Sequence, residues 1–300
     1  MFGVAARLRL TPALAAAACL ALAAGCTPTV NLADPSSPRF LGSYASYPGD
    51  TSAAPIRIVA FNVKLGRRID RAIEVLQSDS LCGADIITLE EMTDVAADRI
   101  ARGLHLNYAY YPSFIHPTDH TYFGPAVLSR WPIVRSWKLF LPHRSRTRGQ
   151  IRTATAADVV IRGDTARVYA VHLETPSGAS DAARADQARS IMTDVGQFHG
   201  PVVIAGDFNS YGVGLVFAHA GYQWLTRYLE HTISFFAWDH IFVRGLEPLR
   251  SDYSSAGVVR NVRGASDHHP VWAVVIPAGE TREERRTATT EAKPRASKSP

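Results

Sequence analysis

Six places in this chain set Asp, Glu, Asn or His against a run of strand-forming residues. Four runs end in them: Asn62, Glu91, His172 with Glu174, and Asp207 with Asn209. Two runs begin with them: Asp239 and the pair Asp267–His268. If the last two strands run antiparallel to the first four, all six sets meet at one sheet edge. Oxygens from Glu, Asp and Asn suit a hard divalent cation such as Mg²⁺ or Mn²⁺. Asp239 beside His268 suits an imidazole whose tautomer is fixed by a carboxylate. His172 and Asn209 can donate hydrogen bonds to a developing oxyanion. Together these groups fit metal-assisted hydrolysis of a phosphate ester. No nucleophile elbow, Walker A loop or dinucleotide fingerprint is present, which argues against serine hydrolases, NTPases and dehydrogenases.

The elements that must position these groups are short apolar and β-branched runs. IRIVAFN (56–62), ADIITLEE (84–91), AVLSR (126–130), TATAADVVI (153–161), ARVYAVHLE (166–174), VVIAGDFN (202–209), DHIFV (239–243) and HPVWAVVI (269–276) read as strands. Between them, 67–79 carries Ile69, Ile73 and Leu76 at helical spacing. Thr93/Asp94 and Ser180/Asp181 are N-cap signals for two more helices. Tyr108, Tyr110, Tyr111, Tyr122 and Phe123 surround a loop before AVLSR, with core and rim packing as their expected role. Helical and hairpin-like connections alternate, so mixed sheets are expected.

Seven motifs in order carry a family resemblance over about residues 56–276: AFNVKLG (60–66), DIITLEEM (85–92), AVLSRWPI (126–133), VYAVHLE (168–174), VIAGDFNS (203–210), WDHIFV (238–243) and SDHHPV (266–271). The chain resembles the endonuclease/exonuclease/phosphatase superfamily. That resemblance implies an α/β fold, a four-layer α/β sandwich of two packed mixed β-sheets flanked by helices. It implies a divalent-metal-dependent phosphodiesterase with Mg²⁺ (or Mn²⁺) as cofactor. By position, Glu91 is similar to the principal metal ligand, with Asn62 and Asp267 beside the metal. Asp207 and Asn209 match the pair that activates water and binds the phosphoryl oxygen. His172 matches a phosphate-contacting histidine, Asp239 the carboxylate paired to the last histidine, and His268 the catalytic histidine. The family's residue before the metal-binding Glu is Gln; here it is Glu90. The resemblance assigns the general base to the Asp239–His268 pair, with Asp207 as the other candidate.

Composition bounds the partners. The 300 residues carry a net charge of +5, with a pI near 9.2. The surplus lies mostly at the two ends, so the body is nearly neutral and polyanion binding would need a local patch. One dense basic run offers it: His143 to Arg148, then Arg152. Arg146, Arg148 and above all Arg152 are the candidate phosphate clamps, since guanidinium binds phosphate bidentately. The expected substrate is a phosphodiester, nucleic acid before a membrane lipid, acted on by a monomer. A tethered binding module with a dead site is the third reading.

Residues 1–25 form a signal-peptide layout with Arg7 and Arg9 ahead of an uncharged run from Leu10 to Gly25. Leu22-Ala23-Ala24-Gly25-Cys26 resembles a bacterial lipobox. It implies cleavage before Cys26 and acylation of its thiol, and Thr27 implies sorting to the outer membrane. The expected location is exported, anchored there through Cys26, periplasmic or surface-facing; an ordinary secretory signal or an uncleaved anchor is the alternative. Residues 26–54, rich in Pro, Ser, Gly and Ala, read as a flexible tether. The catalytic domain is expected over 55–277 and a disordered charged tail over 278–300. Cys19 falls in the leader, leaving Cys82 as a small buried thiol with no disulfide framework.

Overall fold

Strand periodicity and β-branched content give this chain its frame, described by a computed structural model over residues 29–46, 54–252 and 254–278. In chain order the elements are β1 (Val30–Asn31), β2 (Phe40–Gly42), β3 (Ile56–Asn62), α1 (Ile69–Leu76), β4 (Ile86–Met92) and α2 (Asp94–Leu104). Next come β5 (Asn107–Tyr110), β6 (Phe114–Ile115), β7 (Tyr122–Ser129), β8 (Ile133–Phe140), β9 (Thr153–Ile161) and β10 (Asp164–His172). Then follow α3 (Asp181–Val195), β11 (Val202–Asp207), α4 (Val213–His219), β12 (Gln223–Trp224), β13 (Asp239–Arg244), β14 (Leu246–Pro248), β15 (Ala256–Val258) and β16 (Val271–Pro277).

One sheet has ten strands along the path β1-β6-β7-β4-β3-β16-β14, with β5, β2 and β15 paired at its sides. The other has six, in the order β12-β13-β11-β10-β9-β8. Ile58, Ala60, Ile86 and Val127 of the first sheet share one core with Ala157, Val168, Ala170, Val203, Ala205 and Ile241 of the second. The outer face of the first sheet buries Val59, Phe61, Ile87 and Leu89 against Ala72, Val75, Ala97 and Ile100 of α1 and α2. The outer face of the second buries Tyr169, Val171, Val202 and Ile204 against Ala188, Ile191 and Phe217 of α3 and α4. These three cores separate four layers, helix–sheet–sheet–helix, as expected for the α/β sandwich. Burial on both faces explains why the central strands are near-continuous apolar runs.

The strand directions bring the polar ends together. β3 and β4 are parallel, with Asn62 level with Glu90, and β16 is antiparallel to β3. β10 and β11 are parallel with His172 level with Asp207, and β13 is antiparallel with Asp239 also level with Asp207. The predicted caps form: the Thr93 and Ser180 hydroxyls accept from the backbone N–H of Ala96 and Ala183.

Two expectations are corrected, on residues 29–46 and on Cys82. Residues 29–46 are not tether: Val30 pairs with Ile115 and Phe40 with Tyr110, and Lys138 Nζ donates to the carbonyls of Leu32 and Asp34, each at 3.1 Å. The Pro/Ser/Gly-rich composition masks Val30, Phe40 and Tyr44, apolar residues that extend an available sheet edge. The aromatics over 107–123 pack as expected: Tyr108 and Tyr110 on β5 and Tyr122 and Phe123 on β7 flank the loop, and Tyr110 and Tyr111 are fully buried. Cys82 is exposed, because it follows the short turn after α1 and precedes β4 at the surface. The signal peptide, Cys26, residues 47–53 and the tail beyond Ala278 lie outside the described residues.

Candidate active site

The site grows from the edge where β3, β4, β10, β11 and β13 converge. Gly206, one residue before Asp207, decides how closely the two sheets meet there. Its φ is +142°, and a Cβ at that position would lie 2.0 Å from the Val171 carbonyl oxygen and 2.7 Å from Glu90 Oε1. Only glycine fits. The close approach is to the β10 backbone and to a carboxylate from the facing sheet.

Asp207 stands at the centre. Its Oδ1 accepts from the Asn209 backbone N–H at 2.9 Å, and its Oδ2 from Asn62 Nδ2 at 3.1 Å. Two imidazoles face the same oxygen, His172 Nε2 at 3.4 Å and His268 Nε2 at 3.7 Å. The far side of the His268 ring meets Asp239, with Nδ1 2.9 Å from Oδ2. Asp239 in turn accepts from the Thr232 hydroxyl, and that hydroxyl accepts from the backbone N–H of Trp238 and Asp239 at 3.1 and 3.2 Å. Thr232 thus fixes the carboxylate that fixes the imidazole. Asn62, His172, Asp207, Asn209, Thr232, Asp239 and His268 are all buried.

Burial sets the electrostatics. Burial alone would lower the pKa of His268, but Asp239 and Asp207 override it and push the imidazole up to about 10. Burial raises the Asp207 carboxyl to about 7; His268 opposes this, and Asp239 adds to it. His172 goes the other way: burial, with the charges of Arg152 and His268, holds it well below the ordinary histidine value. It is therefore neutral, and its 3.4 Å approach to Asp207 is not an ion pair.

A bulge in β4 brings two consecutive carboxylates to the site. Leu89 pairs with Ala126 and Met92 with Gly124, so Glu90 and Glu91 together oppose one residue of β7. Glu91 takes a positive φ of 56° and lies 3.4 Å from Asn62 Nδ2. Glu90 is fully buried, and neither of its oxygens has a hydrogen-bond partner. Burial and the charges of Asp239 and Asp207 push its pKa well above the ordinary carboxylate range. Glu90, Glu91, Asp207 and Asp239 thus converge with one cationic imidazole. Asp207, Asp239 and His268 also offer ligand atoms within 4.8 Å of one another. An excess of hard oxygen donors, two of them orphaned in the interior, fits a divalent cation such as Mg²⁺.

The structure brings together Asn62, Glu91, His172, Asp207, Asn209, Asp239 and His268. It does not bring Asp267 to them: that carboxylate is half-exposed and pairs with Lys64 Nζ at 2.8 Å. Asn62 gives its oxygen to the Lys64 backbone N–H at 3.0 Å, so its role as placed is to hold carboxylates. Asn209 uses one amide hydrogen on the Leu173 carbonyl, at 3.0 Å.

Arg152 is not an open phosphate clamp. It is buried, its Nε donates to Glu174 Oε2 at 3.2 Å, and its guanidinium lies 5.4 Å from the Phe123 ring. Position at a strand start signals the edge, not the depth, and Glu174 behind it draws the cation inward. Glu174 therefore orients Arg152. Arg146 and Arg148 stay exposed on the preceding loop. Sequence reasoning missed Thr232, Lys64 and the burial of Glu90. The Glu–Glu pair was the available signal for Glu90; a lone threonine seven residues before Asp239 carries none.

A model of the endonuclease/exonuclease/phosphatase family matches residues 59–268. Comparison with curated proteins gives no match. Among solved structures, an endonuclease/exonuclease/phosphatase from Beutenbergia cavernae superposes with a TM-score of 0.62 at 19% identity, covering 74% of this chain and 72% of that one. One from Bacteroides vulgatus superposes with a TM-score of 0.60 at 18% identity, covering 75% and 99%. D. rerio TDP2, complexed with single strand DNA product, superposes with a TM-score of 0.58 at 18% identity, covering 74% and 99%. The family model spans more than two thirds of the chain, the shared fold agrees with it, and the chain belongs to the endonuclease/exonuclease/phosphatase family.

Proposed function

We propose that this protein is a divalent-metal-dependent phosphoester hydrolase whose reaction centre is Asp207 with His268 and Asp239. The observation that carries the reading is one buried line of groups: Asp239 against His268 Nδ1 at 2.9 Å, and His268 Nε2 facing Asp207 at 3.7 Å. That last separation is too long for a hydrogen bond, so the two groups face a shared space without closing it. A cation held by Glu91 with Asp207, beside Asn62, would polarise a phosphoryl oxygen as a Lewis acid.

The chain's own residues do the rest. The resemblance gives the general base to the Asp239–His268 pair, but two carboxylates hold that imidazole cationic. We assign it instead to donating Nε2–H toward a phosphoryl oxygen. Asp207 then accepts the proton of the attacking water. The water oxygen bonds to phosphorus, one ester P–O bond breaks, and the departing oxygen takes a proton from solvent and leaves as an alcohol. His172, neutral and buried beside Asp207, donates to the same region. Asn62 and the Asn209 N–H hold the Asp207 carboxylate in place.

The preference for nucleic acid over lipid rests on the basic run, and on the similarity to a TDP2 complexed with single strand DNA product. A mannosyl-6-phosphatase of the same fold, 18% identical, broadens the range of phosphoesters to consider. A second reading, a membrane lipid, is favoured by two exposed aromatics beside Asp239: Phe235 is 92% exposed and Phe236 50%. The test is hydrolysis of a soluble phosphodiester, a phosphomonoester, DNA, RNA and phospholipid vesicles, with Mg²⁺ and with EDTA. Magnesium-dependent release from at least one class is expected. No hydrolysis of any of them would overturn the reading.

A further inference from the structure

We propose that the mouth of this site docks on the anionic phospholipid bilayer to which the N-terminus is anchored, and takes its phosphoester from that surface. This deepens the second, membrane-lipid form of the hydrolase reading and rests on it. Three observations carry it: where the described chain begins, what lines the mouth, and how few residues lie between Cys26 and that mouth.

The described chain begins on the rim of the site. The Thr29 N–H donates to the Arg148 carbonyl at 3.5 Å. Asn31 donates from Nδ2 to the Gly149 carbonyl at 3.0 Å and accepts from the Ile151 N–H at 2.7 Å. This basic loop leads directly to the reaction centre. Arg152 lies 5.4 Å from the Phe123 ring, Phe123 lies 5.7 Å from the His172 ring, and His172 lies 3.4 Å from Asp207. Cys26, with the uncharged run Leu10–Gly25 before it, precedes Thr29 by three residues. Three residues span at most about 11 Å. With an acylated Cys26 or the uncleaved apolar run as membrane anchor, the rim is held close to the bilayer; a cleaved secretory signal would leave no such tie, and the vesicle experiment below separates the cases.

The surface presented there suits a bilayer. Loops before β9 and β13 leave the six-stranded sheet at the edge that carries His172, Asp207 and Asp239. The first carries exposed Arg144, Arg146 and Arg148. The second, on the other side of Asp207, carries Phe235 at its tip, and Phe236 stacks on Trp238 at 4.5 Å. Guanidinium groups match anionic headgroups, and projecting aromatics match the layer just beneath them. The body is nearly neutral, so the attraction is local to this face.

The test uses the full chain as isolated from membranes, reconstituted in vesicles whose acyl chains carry bromine as a fluorescence quencher. Phe235→Trp is compared with the unsubstituted protein, so that added emission reports on position 235 alone. The expected result is strong quenching of that emission in phosphatidylglycerol-containing vesicles. The triple variant R144E/R146E/R148E should lose most of it, since each basic residue near an anionic surface contributes roughly fivefold to binding. Quenching that is absent, or equal in purely zwitterionic vesicles and in the triple variant, overturns the docking surface. So does position 235 responding to single-stranded DNA and not to vesicles. Hydrolysis of a soluble phosphodiester by the unsubstituted protein is read separately: if it occurs without docking, this inference fails and the hydrolase reading stands. If neither soluble nor vesicle-borne esters are hydrolysed, the hydrolase reading fails first.

Discussion

His268 is the residue on which the site's charge turns. Its folded-state pKa, pushed up to about 10, lies above the ordinary histidine value near 6.5. Its charged form is thus stabilised by folding, fully below about pH 6.5, and that contribution is lost as pH rises through about 10. Asp207, raised to about 7, and Glu90, raised well above its usual value, act in the same direction: ionising them in the fold costs stability as pH rises. Without metal, the protein is therefore expected to lose stability steadily from pH 6.5 to 10. His268→Asn should flatten that profile, as read by urea unfolding in EDTA. A wild-type profile that rises over this range would contradict the assignment. Glu90→Gln keeps the shape and removes the charge, so it should raise Tm in EDTA at pH 8.5. A fall in Tm would show that ionised Glu90 has a partner the orphaned oxygens do not reveal.

At the scale of elements, two backbone features build the site: the bulge in β4 and the glycine that ends β11. Gly206→Ala would drive a Cβ into the Val171 carbonyl and is expected to cost more than about 3 kcal/mol, roughly a 10 °C fall in Tm. A loss below about 1 kcal/mol would mean that β10 and β11 can separate without consequence. Much of this was legible in the sequence. Strand ends bearing Asn62, His172, Asp207 and Asp239 converge because apolar runs and strand directions leave them little else to do. The bulge was not legible, since alternation alone puts Glu90 and Glu91 on opposite faces. Depth was not legible either: Arg152 looked like an open cation because its partner Glu174 comes 22 residues later. Residues 29–46 were misread because an edge strand needs only a few apolar side chains, which a Pro- and Ser-rich composition hides.

For the whole molecule, four carboxylates converging between two sheets make metal and fold interdependent. Mg²⁺ bound there should stabilise the folded chain, and the gain in Tm should grow from pH 6.5 to 9 as the carboxyl groups ionise. Differential scanning calorimetry with and without Mg²⁺ reads this directly; a gain that is zero, or that shrinks with pH, would place the cation elsewhere. The four-layer body also explains how one edge gathers polar groups from five strands and the loops beside them while the sheet interiors stay mostly apolar. The measurement closest to the central claim is the turnover of Asp207→Asn on a soluble phosphodiester at saturating Mg²⁺, with folding checked by its unfolding curve. The account predicts a kcat lower by about 10²- to 10⁴-fold with the fold intact, whereas turnover equal to that of the unsubstituted protein would contradict it.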